Sequence, residues 1–329
     1  MKTYILQIPL IANLRFLLMI ILLIASGSIQ ALENILIIRP SGVDFEETVG
    51  GIADELDGEI SYRELVLDKN SSVEDMYSAI RKQQPKALVL MGNRQLTLFK
   101  KLKAAHPNET FGPVVSVAAL FIDRVMANIP NTTGILYEVP AVTGLVSLRN
   151  ISTQTIQRVG VLYQEDMEDM ITVNKRFCRA EGFELVAMRL SASDAKKPKK
   201  ITSALKKLSN QSLDAIWISN DSGLLTRELV INSWIPFMNR YKKPVLVGVG
   251  SLVSTGLNMG TLAVSPDHSG LGNQTAGILF DLMNNQWQLE EIKFEQPISV
   301  LKTLNLQIAR KRNLRFKKDR LTQIDHLIQ

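Results

Sequence analysis

The chain has a single cysteine, Cys178, among its 329 residues. No intramolecular disulfide framework can form, and no CxxC metal or redox motif exists. Histidine is almost as scarce. His106, His268 and His326 are far apart and lack the spacing of a metal-ligand motif. A zinc hydrolase is therefore not expected, nor is any bound metal. Aromatic residues make up only 6% of the chain, and its basic residues form no stripe interleaved with aromatics, so nucleic acid is not an expected partner. There is no phosphate-cradling GxxxxGK[ST] loop and no GxSxG elbow. Gly248-Val-Gly250 begins like a dinucleotide fingerprint, but Val253 occupies the third glycine position. No nucleophile–base pair stands out, so the chain is not expected to be an enzyme or to carry a cofactor.

The remaining composition is that of a folded protein. With 46% hydrophobic and 21% charged residues, global disorder is excluded. The length suits one large or two medium domains. The N-terminus carries Lys2 and Arg15, then an uncharged apolar run over 16–25, then Ser26, Gly27 and Ser28, and then Ala31. A basic flank, a short apolar stretch and a small-residue exit make a secretory signal. The run is about half the roughly twenty residues a spanning helix needs. Cleavage near Ala31 and a periplasmic or otherwise exported mature chain are expected. An uncleaved anchor is the alternative, because the stretch over 5–14 is also largely apolar. Losing Lys2 and Arg15 with no acid lowers the net charge from +6 to +4. Two basic clusters, at 196–200 and 310–320, read as solvated faces or as contacts to an anionic membrane or membrane partner. Cys178 sits in a helical pattern and reads as a packed small apolar residue.

Short aliphatic runs recur at 34–39, 62–67, 87–91, 114–118, 158–163, 184–188, 215–219, 245–249 and 261–264. Each is closed by turn formers and followed by a longer amphipathic stretch. Continuous rather than alternating apolar runs indicate strands buried on both faces, as in parallel sheets. Helical spacing recurs over 72–82, 166–180 and 270–284. Such a succession requires right-handed crossovers and yields α/β doubly wound sheets. Two are expected, with a linking stretch over 131–140 and no flexible Gly/Ser linker, so ordered strands should cross between the lobes. The expected division is a signal peptide over 1–31, a first lobe of 32–140 plus 265–295, and a second lobe of 141–264 plus 296–329.

A family resemblance rests on several passages taken together. They are Asn131-Thr-Thr-Gly-Ile leading into Arg158-Val-Gly-Val-Leu-Tyr163, and Asp214-Ala-Ile-Trp-Ile-Ser-Asn-Asp221. They continue with Pro244-Val-Leu-Val-Gly-Val-Gly-Ser, Gly260-Thr-Leu-Ala-Val-Ser-Pro-Asp267, and Leu271-Gly-Asn-Gln-Thr-Ala276, and end with Asn305-Leu-Gln-Ile-Ala309. In their order and spacing over 34–318 they resemble the periplasmic substrate-binding proteins of ABC transporters, in the branch that includes aromatic-amino-acid binders. The resemblance implies a type I periplasmic-binding-protein fold, a small-molecule ligand and an ABC permease as partner. A binding module reused as a sensor or envelope partner is the alternative. One departure is notable. Where that branch carries a polar turn after the fourth strand, often with Thr-Asp-Pro, this chain reads Ser116-Val-Ala-Ala-Leu-Phe-Ile-Asp123.

Doubly wound sheets bind ligands beyond the carboxyl ends of their strands. On the first lobe that rule selects Ser41, Gly42, Gly92, Asn93, Ala118 and Ala119. On the second it selects Tyr163, Glu165, Asn220, Asp221, Gly250 and Ser251. Asn93 and Ser41 are expected to meet an anionic or carbonyl group, Asp221 or Glu165 a cationic amine, and Tyr163 to supply an aromatic wall.

Overall fold

The computed structural model of the protein describes residues 34–329. The targeting segment read over 1–31 lies outside the described residues. Among the described residues no helix is long and apolar enough to cross a membrane.

The aliphatic runs form the centres of two sheets. The first has the order β11-β5-β4-β3-β1-β2. It is built from β1 (Asn34–Arg39), β2 (Ser61–Val66), β3 (Ala87–Met91), β4 (Val114–Val117), β5 (Thr132–Ile135) and the short β11 (Phe294–Glu295). All of its pairings are parallel. Every residue of β3 and β4 is buried, as expected for strands covered by helices on both faces.

The second sheet has the order β13-β12-β10-β9-β8-β6-β7. Its members are β6 (Arg158–Gln164), β7 (Glu184–Leu190), β8 (Ala215–Ile218), β9 (Val245–Val247), β10 (Leu262–Pro266), β12 (Val300–Asn305) and β13 (His326–Ile328). It is parallel except where β12 runs antiparallel to β10.

Besides a continuous helical stretch over 227–238, nine α-helices cover these sheets among the described residues. They are α1 (Val43–Leu56), α2 (Val73–Gln83), α3 (Asn93–Ala105), α4 (Ile122–Val125), α5 (Ala141–Ile151), α6 (Glu168–Ala180), α7 (Pro198–Ser209), α8 (His268–Asn284) and α9 (Leu306–Lys311). Local chemistry sets several of their ends. Ser72 and Asp75 form a reciprocal capping box at the start of α2, with Ser72 N donating to Asp75 Oδ2 at 2.7 Å. Helix α5 starts after Pro140, and its Ala141 N–H donates to Asn174 Oδ1 of α6 at 2.8 Å.

The chain passes between the sheets three times: from β5 to α5, from β10 to α8, and from β11 to β12. The passages are bonded to one another. Leu136 N donates to Glu295 O at 2.8 Å. Ser299 Oγ donates to Asp267 Oδ2 at 2.9 Å, and Asp267 N to Ser299 O at 3.2 Å. Gln274 of α8 donates to Glu295 Oε2 and accepts from Ile298 N.

Three expectations need correction. The stretch over 131–140 is only partly a link, because residues 132–135 form β5 within the first sheet. Ser265 and Pro266 extend β10 of the second sheet, whereas the expected division returned to the first lobe at 265. Arg312, read as part of a solvated basic face, is buried. It donates to Thr261 Oγ1 at 3.0 Å and Met259 O at 2.9 Å, tying the end of α9 to β10, and burial pushes its guanidinium down to about 10. Cys178 is fully buried in α6, and burial pushes its thiol up to about 11.

Helices α1 and α8 come from opposite ends of the first lobe's sequence and cross backbone to backbone. A Cβ on Gly272 would fall inside the contact distance of Thr48 O, and one on Gly51 inside that of Ser269 O. Helix propensity alone favours alanine over glycine by about 1 kcal/mol. Overpacking at this crossing should outweigh it, so Gly272→Ala is expected to lower stability by about 1–3 kcal/mol in denaturant unfolding.

Candidate functional site

A cavity of about 350 Å³ lies between the lobes, of a size suited to a small ligand. Its first-lobe wall is the turn at α4, with Phe121, Asp123 and Arg124. Its back is two of the crossing passages, with Leu136, Glu138, Val139, Pro140 and Gln296. Its second-lobe wall combines Met170, Val173 and Phe177 of α6 with Trp217, Asn220 and Gly248 from the ends of β8 and β9. The lobes touch beside it. Arg124 Nη1 donates to Asp166 O at 3.0 Å, and the guanidinium lies 5.6 Å from the Phe121 ring centre. Phe121 also packs against the second lobe's core.

Glu138 is the distinctive group here. Its Oε1 accepts from Phe121 N at 2.9 Å, holding a residue whose φ of 55° is unusual for a side chain of that bulk. Burial raises its carboxyl to about 7. Asn220 is 9% exposed, and its Oδ1 has no hydrogen-bond partner. The missing side chain of Gly248 leaves room for that amide, since a Cβ there would collide with Asn220 Oδ1. An unpaired buried acceptor costs about 1–3 kcal/mol, so a donor brought to this oxygen would be favoured. Asn174, by contrast, is occupied by Ala141 N and Met170 O.

A second cavity of about 220 Å³ lies on the first lobe's rim. Gly92, Asn93, Ala118 and Ala119 line it, together with Tyr137 and His268. Asn93 serves as a brace there. Its Nδ2 donates to Leu120 O at 2.7 Å and its Oδ1 accepts from Leu120 N at 2.8 Å, which fixes the apolar turn that begins with Ala118 at φ 50°. Beside it, Tyr137 Oη is 3.1 Å from His268 Nε2, and His268 Nδ1 is 3.9 Å from Asp44 Oδ1 and 4.0 Å from Glu47 Oε2. These three offer ligand atoms within 4.8 Å of one another, the spacing of a metal site, although both carboxylates are exposed.

Among the residues selected from the sequence, only Asn220 lines the interlobe cavity, and the four just named line the rim. Ser41, Gly42, Gly250 and Ser251 are exposed and line neither. Three assigned roles are not available in this geometry. Asp221 is 1% exposed and saturated, accepting from Gln164 Nε2, Gln164 N, Gly223 N and Leu224 N. Glu165 is engaged by Arg189 and by Ala192 N at the edge of the second sheet. Tyr163 is a core residue, 4% exposed, whose hydroxyl donates to Glu168. Sequence reasoning missed Glu138. Its signal was present: it is the one charge in the otherwise apolar stretch over 134–140.

No family model matches the sequence, and no curated protein is significantly similar to it. Solved structures are. One is the ligand-free, open structure of a substrate-binding protein with adhesive properties from Clostridium difficile. It is 13% identical with a TM-score of 0.64, over 91% of this chain and 99% of that one. A domain from Streptococcus pneumonia in complex with L-Trp is 14% identical with a TM-score of 0.58, over 91% and 100%. A periplasmic ribose ABC transporter protein from Conexibacter woesei is 15% identical with a TM-score of 0.52, over 86% and 96%. The fold is that of the type I periplasmic binding proteins. At these identities the likeness is one of architecture.

A carboxyl held near 7 when folded, against an ordinary 4.5, favours the folded state in its protonated form. The penalty is absent below about pH 4.5 and complete above about pH 7. Thermal unfolding of the ligand-free chain should therefore show stability falling across that window, and Glu138→Gln should flatten the Glu138 share of the slope.

Proposed function

We propose that the protein is an exported solute-binding protein. It captures a small molecule in the interlobe cavity, closes about the three bonded passages, and presents the closed form to an ABC import permease. The observation that carries this reading is the cavity itself. Both lobes wall it, and it holds the buried Asn220 Oδ1, which has no hydrogen-bond partner among the described residues. A solute touching Phe121 and Leu136 on one side and Trp217 and Asn220 on the other binds best when the lobes are together. It then shifts the population by its differential affinity for that state. The N-terminal signal read over 1–31 is consistent with delivery outside the cytoplasm, and the likeness to a substrate-binding protein and a periplasmic ribose ABC transporter supports a binding role.

A second reading, a binding module kept as a sensor or envelope partner, is favoured by the apolar turn at Ala118-Ala119-Leu120. Solute uptake by cells lacking the protein separates the two, because only the transport reading expects uptake to fall.

Native mass spectrometry of the full chain, purified without denaturation, tests the shared premise. A small molecule that stays with the folded chain and leaves on unfolding is expected. An empty chain whose melting temperature no amino acid, amine, sugar or organic acid raises would contradict it.

A further inference from the structure

The reading above leaves the solute's chemistry open, and the cavity's charges narrow it. Asp123, Glu138 and Asp169 line it against one cation, Arg124, and neither Lys nor His is among the lining residues. Arg124 gives one N–H to the neutral carbonyl of Asp166 and lies over Phe121, keeping its charge. A carboxylate or phosphate would thus meet one cation against three acids. Glu138 forms no ion pair among the described residues, and its one inter-residue hydrogen bond is the donation from Phe121 N. Asn220 Oδ1 adds a second acceptor without a donor. The remaining walls are apolar or aromatic: Phe121, Met170, Val173, Phe177 and Trp217. Aromatic faces attract cations, and an apolar wall takes hydrocarbon and rejects a polyol whose hydroxyls it cannot satisfy.

We infer that the solute is a small organic cation, an ammonium group on an apolar or aromatic body, with its charge answered by Glu138 and an N–H given to Asn220. This rests on the solute-binding reading, and it moves the amine partner from the second lobe's strand ends to the passage between the lobes. There Phe121 N anchors one carboxylate oxygen of Glu138, so the group is held in place before any ligand arrives. Asp123 and Asp169 reinforce the negative potential from α4 and α6, and Arg124 moderates it.

The test is calorimetry on the full chain with a series of primary amines from butylamine to phenethylamine, and with their carboxylate and alcohol isosteres and phenylalanine. The amines are expected to bind about ten-fold or more tighter than the isosteres, the difference expected of one charge-assisted hydrogen bond. Glu138→Gln should weaken the best amine by about ten-fold and leave its alcohol isostere unchanged. If that variant does not fold, as judged by near-ultraviolet circular dichroism, Asn220→Ala carries the same comparison with a smaller loss. Tighter binding of phenylacetate or phenylalanine than of phenethylamine would overturn the inference. So would unchanged amine affinity in the variants, or amines failing to bind a chain that co-purifies with a neutral or anionic solute. A chain that binds nothing of any class would overturn the solute-binding reading beneath it.

Discussion

Neither sheet is completed by one continuous stretch of chain, and this constraint organises the molecule. The first sheet needs β11 and its cover helix α8, which come after the second sheet's β10. The second needs β12, β13 and α9, which come after β11. The chain must therefore pass between the lobes three times. Hydrogen bonds such as Leu136 N to Glu295 O and Ser299 Oγ to Asp267 Oδ2 make the three passages one tied unit. Residues in these passages pack partly on the lobe cores, Leu136 and Tyr137 on the first and Val139 on the second. Leu136, Glu138, Val139 and Pro140 also wall the gap.

The chemistry of the gap follows from its burial. Several buried groups are well partnered: Asp221 has four donors, Asn174 two contacts, and Arg312 a ring of carbonyls and a hydroxyl. In the gap, among the described residues, Glu138 forms no close ion pair and Asn220 Oδ1 accepts no hydrogen bond. Buried polar groups are generally satisfied; of the buried side-chain atoms left unpaired among the described residues, Asn220 Oδ1 lines this cavity, while others such as Ser116 Oγ and Tyr241 Oη lie elsewhere. A Cβ at Gly248 would collide with the Asn220 oxygen.

Much of the fold could be read from the chain. The aliphatic runs became strands within a residue or two of their expected ends, because doubly buried strands need uninterrupted apolar side chains. Strand β5 was harder, since Thr132, Thr133 and Gly134 carry no aliphatic run. Its place depends on Gly134 fitting closely against Ser116 O. The short β11 to β13 carry mostly half-exposed or exposed residues and left no periodic trace. The site was less readable. The strand-end rule selected residues around the strand ends, but Tyr163 lies within β6 and Asn93 opens α3, and the rule could not tell that Asn93 braces Leu120 or that Asp221 caps its own turn. Both are matters of three-dimensional pairing. Glu138 escaped because the rule looks beyond strand ends of single sheets, whereas this carboxylate sits on a passage that only exists once two sheets are present.

The central claim is that occupancy of the gap and the angle between the lobes are one equilibrium. The most direct measurement is a pulsed electron–electron distance between spin labels on Glu74→Cys of α2 and Lys199→Cys of α7. Both positions are exposed, and buried Cys178 is shielded from the label. The account predicts a broad distribution in the free chain that narrows to a single, shorter distance when the stabilising solute is bound. The same distribution with and without bound solute would contradict it.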